Sequence, residues 1–377
     1  MALHHLPATQ HAIQQDNKGQ LYMNDEAAIP PLPSGHILVK TLAVALNPSD
    51  YKLATKFPVP DAYIGVDFSG QVVQIADDVD ANSLRLEHGT LVSGAAIGFN
   101  PGNRKANGAF AEYVRVRADL VLRLLAQSSD TSLEKDPVIG PLEAATLGTA
   151  VLTCIFALWS TDGLALTGTP DVPDRSDNPI PVLVYGGSTA TGTLALQLLK
   201  LSGYLPITTC SPRNFDLVRC RGAAIVFDYA ASDVAENIRA RTNRRLKYAL
   251  DCISDTQSFG VCYASIQRAG GRYVSLELIS DELLATRRAI RPSFILAAEA
   301  AGEDVKLGHE GYDRPASVEK YEFAAQHMRI VQRLLDQGKL RTHPIEVLSG
   351  GLQAIPNGLD VLAAGGISGK KLAAVVE

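Results

Sequence analysis

Between Pro181 and Gly203 the chain reads PVLVYGGSTATGTLALQLLKLSG. Val182 to Tyr185 is a short aliphatic, β-branched run of the kind that forms a strand buried on both faces. Gly186 to Gly192 is a turn. Leu194, Leu196, Leu198, Leu199 and Leu201 follow among good helix formers, with Gly203 placed to cap the helix. Strand, glycine turn and helix make the first unit of a dinucleotide-binding fold. The G-x-G-x-x-G template is met as Gly187-x-Thr189-x-x-Gly192, without the middle glycine. The first glycine permits the tight turn, and the third lets helix and strand approach closely. The hydroxyls of Ser188, Thr189 and Thr191 are expected to donate to phosphate oxygens at the positive end of the helix. Taken alone, the turn also suits an unrelated α/β fold.

The next stretch narrows the reading. Pro206 to Cys210 is a second strand, closing a βαβ unit. At its end an NAD enzyme usually carries an acidic residue for the ribose 2′-hydroxyl. Here stand Ser211, Pro212, Arg213 and Asn214. A carboxylate would repel a 2′-phosphate, whereas an arginine flanked by hydroxyl and amide donors holds one by charge-assisted hydrogen bonds. The expected cofactor is therefore NADPH; a solvated arginine at a helix start is the alternative.

With 377 residues the chain suggests two domains. Hydrophobic content of 46% and charged content of 20% are those of a soluble globular protein, and the net charge of −5 gives no reason to expect nucleic-acid binding. Five cysteines show no metal-ligand spacing, and three lie in apolar runs, as buried thiols of a reducing compartment do. The amino-terminal residues carry no secretion signal, so a cytoplasmic location is expected. Ala144 to Thr161 is 18 residues without a charge, near the lower limit for a membrane span. Four threonines, a serine and a glycine within it favour a buried helix between two domains, and no membrane association is expected.

The first part of the chain is β-rich. His36 to Leu46, Gly65 to Ile75, Thr90 to Ala95 and Gly108 to Arg115 read as strands of a small barrel-like domain, with Asn100 to Asn107 a loop. Thr167 to Pro181, with four prolines, reads as a surface loop. Beyond Asn214, helices and strands alternate through the strand Gly271 to Leu276, predicting a doubly wound parallel sheet. A long helical period covers Ser317 to Gln337. After it, His343 to Leu348, a further helix and the strand Lys371 to Val376 are expected to return to the first domain.

Several strings together resemble the medium-chain dehydrogenase/reductase superfamily over almost the whole chain. They are Ala45-Leu46-Asn47-Pro48-Ser49-Asp50, Gly65-Val66-Asp67-Phe68-Ser69-Gly70, Gly108-Ala109-Phe110-Ala111-Glu112-Tyr113, the glycine turn and Arg268-Ala269-Gly270-Gly271. The resemblance implies a GroES-like β-barrel domain (1–150 with 316–377) joined to a Rossmann domain (151–315), the active site lying in the cleft between them. Zinc alcohol dehydrogenases of this superfamily have Cys where Asn47 stands and His-Glu where Val66-Asp67 stand. An amide, a valine and one carboxylate do not make a tetrahedral zinc site, so no catalytic metal is expected.

Tyr185 to Thr191, Cys210 to Asp216, Val226 to Tyr229 and Tyr273 to Leu276 look like motifs of a narrower group. These are the trans-acting enoyl reductases that serve iterative highly reducing polyketide synthases. That resemblance implies an NADPH site lined by Ser49, Asp50, Tyr51, Lys52, Ser188, Thr189, Ala190, Thr191, Ser211, Pro212, Arg213, Asn214, Tyr229, Leu276, Glu277, Lys370 and Lys371. It implies an acyl pocket lined by Ile155, Phe156, Ala157, Leu158, Trp159, Ser160, Thr161 and Asp162, with Ala297, Ala298, Glu299, Ala300 and Ala301. For each apolar member of that pocket, plain core packing is the competing reading.

Such an enzyme transfers hydride to the β-carbon of an enoyl thioester and then protonates the product enolate. Some relatives use a tyrosine after the NPxD stretch, where this chain has Thr55-Lys56-Phe57-Pro58. Solvent, Lys52 and Thr153 are the candidate donors, with Lys52 also suited to a cofactor phosphate. The expected partner is a polyketide synthase whose acyl carrier domain delivers the substrate. An acidic carrier would dock on Arg239, Arg241, Arg244, Arg245 and Lys247, or on Arg287, Arg288 and Arg291, although either run also reads as a solvated basic face. The oligomeric state is left undecided, with a lean to monomer. A free-standing NADPH quinone oxidoreductase and a non-catalytic NADPH-binding accessory protein are the alternatives.

Overall fold

Strand-forming runs from both ends of the chain meet in one sheet. The computed structural model describes residues 6–124 and 139–376. They fall into two units, Met1–Thr149 with Ala298–Glu377, and Ala150–Ala297. Unit 1 opens with an antiparallel pair that the sequence reading did not anticipate, β1 (Thr9–Gln15) and β2 (Leu21–Ala28). Next come β3 (His36–Ala45), α1 (Pro48–Lys56), β4 (Asp67–Ile75), β5 (Leu91–Ala95), β6 (Tyr113–Arg117) and β7 (Leu122–Arg123). The expected strand from Gly108 begins only at Tyr113. Gly108 to Glu112 is instead tied through single backbone bonds to Gly65, Ile64 and His11, with Gly108 pressed against Tyr63 where no Cβ fits. Asn100 to Asn107 contains a helical turn, Pro101–Arg104, capped by the Asn100 side chain.

The uncharged stretch forms α2 (Gly148–Trp159) after a separate helical turn at Pro141–Ala144. Pro141–Trp159 is apolar enough to cross a membrane, but 83% of its most apolar window is buried inside the protein, as in a core helix. Unit 2 then runs β8 (Pro181–Tyr185), α3 (Ala190–Leu201), β9 (Leu205–Cys210), α4 (Phe215–Cys220), β10 (Ile225–Asp228), α5 (Val234–Arg241), β11 (Tyr248–Asp251), α6 (Thr256–Ser265), β12 (Gly271–Ser275) and β13 (Ile290–Phe294). All six strands are parallel, in the order β10-β9-β8-β11-β12-β13. Counted from β8 this is 3-2-1-4-5-6, the doubly wound dinucleotide-binding order, with its switch point between β8 and β11. The unit's core gathers Leu183, Ile207, Leu246, Ala249, Phe259 and Tyr273.

The chain returns to unit 1 with α7 (Val318–Asp336), β14 (Ile345–Leu348), α8 (Ile355–Ala363) and β15 (Lys371–Val375). α7 is bounded by Ser317 and Gln337, the ends read from sequence. β15 pairs antiparallel with β3 and parallel with β14, completing the order β14-β15-β3-β4-β5-β7, with β6 also on β3. The return falls at Ala298 rather than at 316. Buried Glu299 pairs with Lys320, the Lys306 N–H donates to Phe99 O at 2.9 Å, and Glu303 accepts from Asn103. These contacts tie residues 298–316 to unit 1.

Ile155, Ala157 and Leu158 of α2 are fully buried. Leu158→Ala is therefore expected to cost about 2–5 kcal/mol of stability, read from the denaturant midpoint. A pocket-lining residue with space in front of it would lose far less.

Candidate cofactor and catalytic sites

The glycine turn has the geometry that its residue types demand. Gly186 takes φ +78°, in the left-handed region that favours glycine. A Cβ on Gly187 would overlap the Thr208 hydroxyl, and one on Gly192 would overlap the Gly186 carbonyl. These two glycines leave an uncluttered cradle at the start of α3, where helical N–H groups lack intrahelical partners. Thr189 is the N-cap: its hydroxyl accepts from Gly192 N at 3.0 Å and donates to Gly186 O at 2.9 Å. That hydroxyl shapes the turn and is not held out for a phosphate. Ser188, Ala190 and Thr191 are half-buried at the mouth of the turn.

At the end of β9, Ser211 leads into a 3-10 turn, Pro212–Asn214. Arg213 is exposed and makes no ion pair among the described residues, while Asn214 is buried. Tyr229, just beyond β10, is 39% exposed. The loop after β11 is organised by a residue that the sequence reading missed. Asp251 accepts from Ile253 N and Ser254 N at 3.0 and 2.8 Å, and from the Ser258 and Tyr273 hydroxyls at 2.7 and 2.9 Å. The Ser254 hydroxyl then accepts from Leu276 N at 2.8 Å, fixing the segment that carries Leu276 and Glu277. An acid closing the buried run Tyr248–Asp251 was the available signal.

In unit 1, α1 carries Ser49, Asp50, Tyr51 and Lys52, with Asn47 as its N-cap. The Asn47 N–H donates to Asp50 Oδ2 at 2.7 Å, and the Asn47 side chain donates to Asp67 Oδ2 at 3.0 Å. Lys371 Nζ reaches both Asp67 Oδ2 and Asn47 Oδ1, the latter at 2.8 Å. Asp67 is completely buried, and its Oδ1 accepts from the Thr149 N–H and hydroxyl, each at 2.6 Å. One buried ammonium–carboxylate pair therefore joins the starts of α1, β4, β15 and α2. Lys370 is exposed and pairs with Glu346 at 3.4 Å. Arg104 clasps the other end of α1, donating to Phe57 O at 2.6 Å and Leu53 O at 3.4 Å. In the loop after the NPxD stretch, Phe57 meets the Tyr312 ring edge-on at 5.1 Å.

Residues 33–126 match the alcohol dehydrogenase GroES-like domain. A trans-enoyl reductase of Talaromyces wortmannii, TwmE, is 58% identical over 98% of this chain and 99% of its own. The Penicillium oxalicum trans-enoyl reductase poxP is 41% identical over 99% of this chain and 94% of its own. The chain belongs to the trans-enoyl reductases. Its fold is also that of a solved mycobacterial protein complexed with NADPH, at TM-score 0.67 and 18% identity, covering 97% of this chain and all of that one. The protein is thus an enoyl reductase of the medium-chain dehydrogenase/reductase superfamily.

In this enoyl reductase the residues at the superfamily's zinc-ligand positions do not suit a metal. Asn47 and Asp67 are bonded to a lysine ammonium, and Val66 has no donor atom. Thr153 lies in α2, 7% exposed, four residues after Thr149. Of the expected acyl-pocket residues, Ile155 to Ser160 are buried in or beside α2, and Thr161 and Asp162 are exposed. The Trp159 indole donates to Gly168 O at 3.0 Å, and Ser160 Oγ donates to Phe156 O at 2.7 Å. Ala297–Ala301 form a 3-10 turn whose Glu299 is held by Lys320.

Lys371→Met would leave Asp67 buried without its cation. The expected loss is about 3–5 kcal/mol of stability, measured by urea unfolding. The double variant Asp67→Leu/Lys371→Met is expected to recover most of it.

Proposed function

We propose that this trans-enoyl reductase reduces the α,β-double bond of an acyl thioester with NADPH, the substrate being delivered by the acyl carrier domain of a polyketide synthase. The observation that carries the cofactor choice is Arg213, an exposed guanidinium at the end of β9 that makes no ion pair among the described residues, with no carboxylate in the Ser211–Asn214 turn. The glycine cradle at Gly186–Gly192 fits a pyrophosphate at the helix start, and Arg213 with Ser211 fits a 2′-phosphate. Bound there, the cofactor supplies a hydride. Tyr229, Leu276 and Glu277 are the remaining unit 2 residues read as lining this nucleotide.

Among the basic runs considered for the carrier, Arg287 is spent on the carbonyls that end α6, donating to Ile266 O at 2.9 Å and Gln267 O at 2.8 Å. Arg239 and Arg244 share Glu236. Arg241, Arg245 and Lys247 are exposed beside them and make the better face for an acidic carrier.

Arg213→Glu is expected to raise KM for NADPH on the order of 10- to 100-fold, through loss of charge-assisted hydrogen bonds, and to leave KM for NADH nearly unchanged. Equal use of the two nucleotides by the unaltered enzyme would overturn the cofactor assignment. Reduction of carrier-bound and small-thiol enoyl thioesters, compared by mass spectrometry, tests the substrate class.

A further inference from the structure

The carboxyl edge of the unit 2 sheet carries an uncovered apolar side chain at its switch point. Among the described residues of unit 2, three large hydrophobic side chains are exposed: Val172, Tyr229 and Ile253. Val172 stands on the proline-rich loop. Tyr229 follows β10 and Ile253 follows β11, so in the order β10-β9-β8-β11 they flank the glycine turn after β8 from opposite sides. Ile253 is 44% exposed. The rest of its side chain lies over the turn itself. A Cβ on Gly186 would stand 2.9 Å from Ile253 Cγ1 and 3.0 Å from Cδ1.

This placement is enforced. Ile253 belongs to the short connection 252–255 between β11 and α6. The Cys252 N–H donates to Tyr185 O at 3.0 Å, which keeps the connection beside β8 as it leaves the sheet. The N–H groups of Ile253 and Ser254 both donate to Oδ1 of the buried Asp251. Ser254 takes φ +61°, a left-handed conformation that a residue with a Cβ adopts at a cost. Its hydroxyl donates to Asp251 O at 2.9 Å and accepts from Leu276 N at 2.8 Å, and the residue is buried. Such strain persists only where the surroundings over-determine it, and it gathers at ligand-binding segments. The result is a solvent-facing isoleucine on a rigid mount.

A dinucleotide lies across the switch point of such a sheet, with its pyrophosphate at the first helix start. If Arg213 after β9 holds the 2′-phosphate, the adenosine half lies on the β9 side and the other half extends toward β11. We propose that Ile253 is an apolar platform against which the nicotinamide riboside of NADPH packs, and that Ser254 is a positioning residue that holds the platform in place. This rests on the NADPH reading and adds two residues to those read as serving the nucleotide. Covering the exposed part of Ile253 removes apolar surface from water, so the contact favours the bound state without a hydrogen bond. Ser254 contributes indirectly, by fixing the loop before the ligand arrives.

The experiment measures binding to the full chain by calorimetry, with NADPH and with 2′,5′-ADP. The second ligand carries the adenosine half and its 2′-phosphate but no nicotinamide riboside. Ile253→Ala is expected to weaken NADPH binding about fivefold and to leave 2′,5′-ADP binding unchanged. It is also expected to leave the melting temperature of the ligand-free protein unchanged, because the atoms it removes are largely exposed. Ile253→Leu keeps the apolar surface and is expected to bind NADPH within about twofold of the unaltered protein. Ser254→Ala frees the Leu276 N–H, so that NADPH has to order the loop as it binds. Its NADPH affinity is expected to fall about three- to tenfold, again with 2′,5′-ADP unaffected. Unchanged NADPH affinity in Ile253→Ala, or an equal loss of both ligands, overturns the platform, and the same outcomes in Ser254→Ala overturn the positioning role. Failure of the NADPH reading itself looks different, since the unaltered protein would then bind neither ligand.

Discussion

The buried pair between Lys371 and Asp67 is the interaction on which unit 1 depends. Two charges have been taken out of water, and their attraction offsets that cost because both carboxylate oxygens and the ammonium are also hydrogen-bonded. Asp67 holds Thr149 through one oxygen and Asn47 with Lys371 through the other, and Lys371 also reaches the Asn47 carbonyl oxygen. Such a knot binds four chain segments with directional bonds, which apolar contacts in the same place would not do. Zinc enzymes of the superfamily gather comparable segments around a cation with thiolate and imidazole ligands. Here an ammonium on a side chain does the gathering, and the cation is encoded in the chain itself.

The nucleotide unit was legible because its signals are local. A parallel strand buried on both faces reads as an unbroken apolar run, and each of the runs at Val182, Pro206 and Gly271 became a strand within a residue or two. The glycines at 187 and 192 spoke for themselves, since nothing larger fits against Thr208 and Gly186. Thr189 was read less well. Its hydroxyl had two possible employers, a ligand phosphate and the helix start, and the sequence does not rank them. The capping geometry, with bonds of 2.9 and 3.0 Å inside the turn, does.

Unit 1 was harder to read for the opposite reason. Its decisive contacts join residues hundreds of positions apart, as Lys371 does with Asn47, and no periodicity reports such a meeting. The pair β1–β2 went unnoticed because Gln10, Gln14 and Gln15 are buried polar residues in β1, spoiling the alternation that announces a strand. The return to unit 1 near residue 298 went unread because the pairing of Glu299 with Lys320, 21 positions on, leaves no local pattern. Asp50 belongs with these cases: an NPxD string shows a helix start, but not that one carboxylate oxygen lies buried and bare.

The return of β15 to β3 has a consequence for how the molecule is made. Unit 2 is encoded without interruption between Ala150 and Ala297, so all its strands are made before β14 and β15. Unit 1 must wait, because β15, the strand beside β3, is made only after the whole of unit 2. Until Lys371 emerges, Asp67 has no cation to balance the charge that holds the starts of α1 and α2. A chain made only as far as residue 370 therefore holds every strand of unit 2, while the sheet of unit 1 still has an open edge at β3.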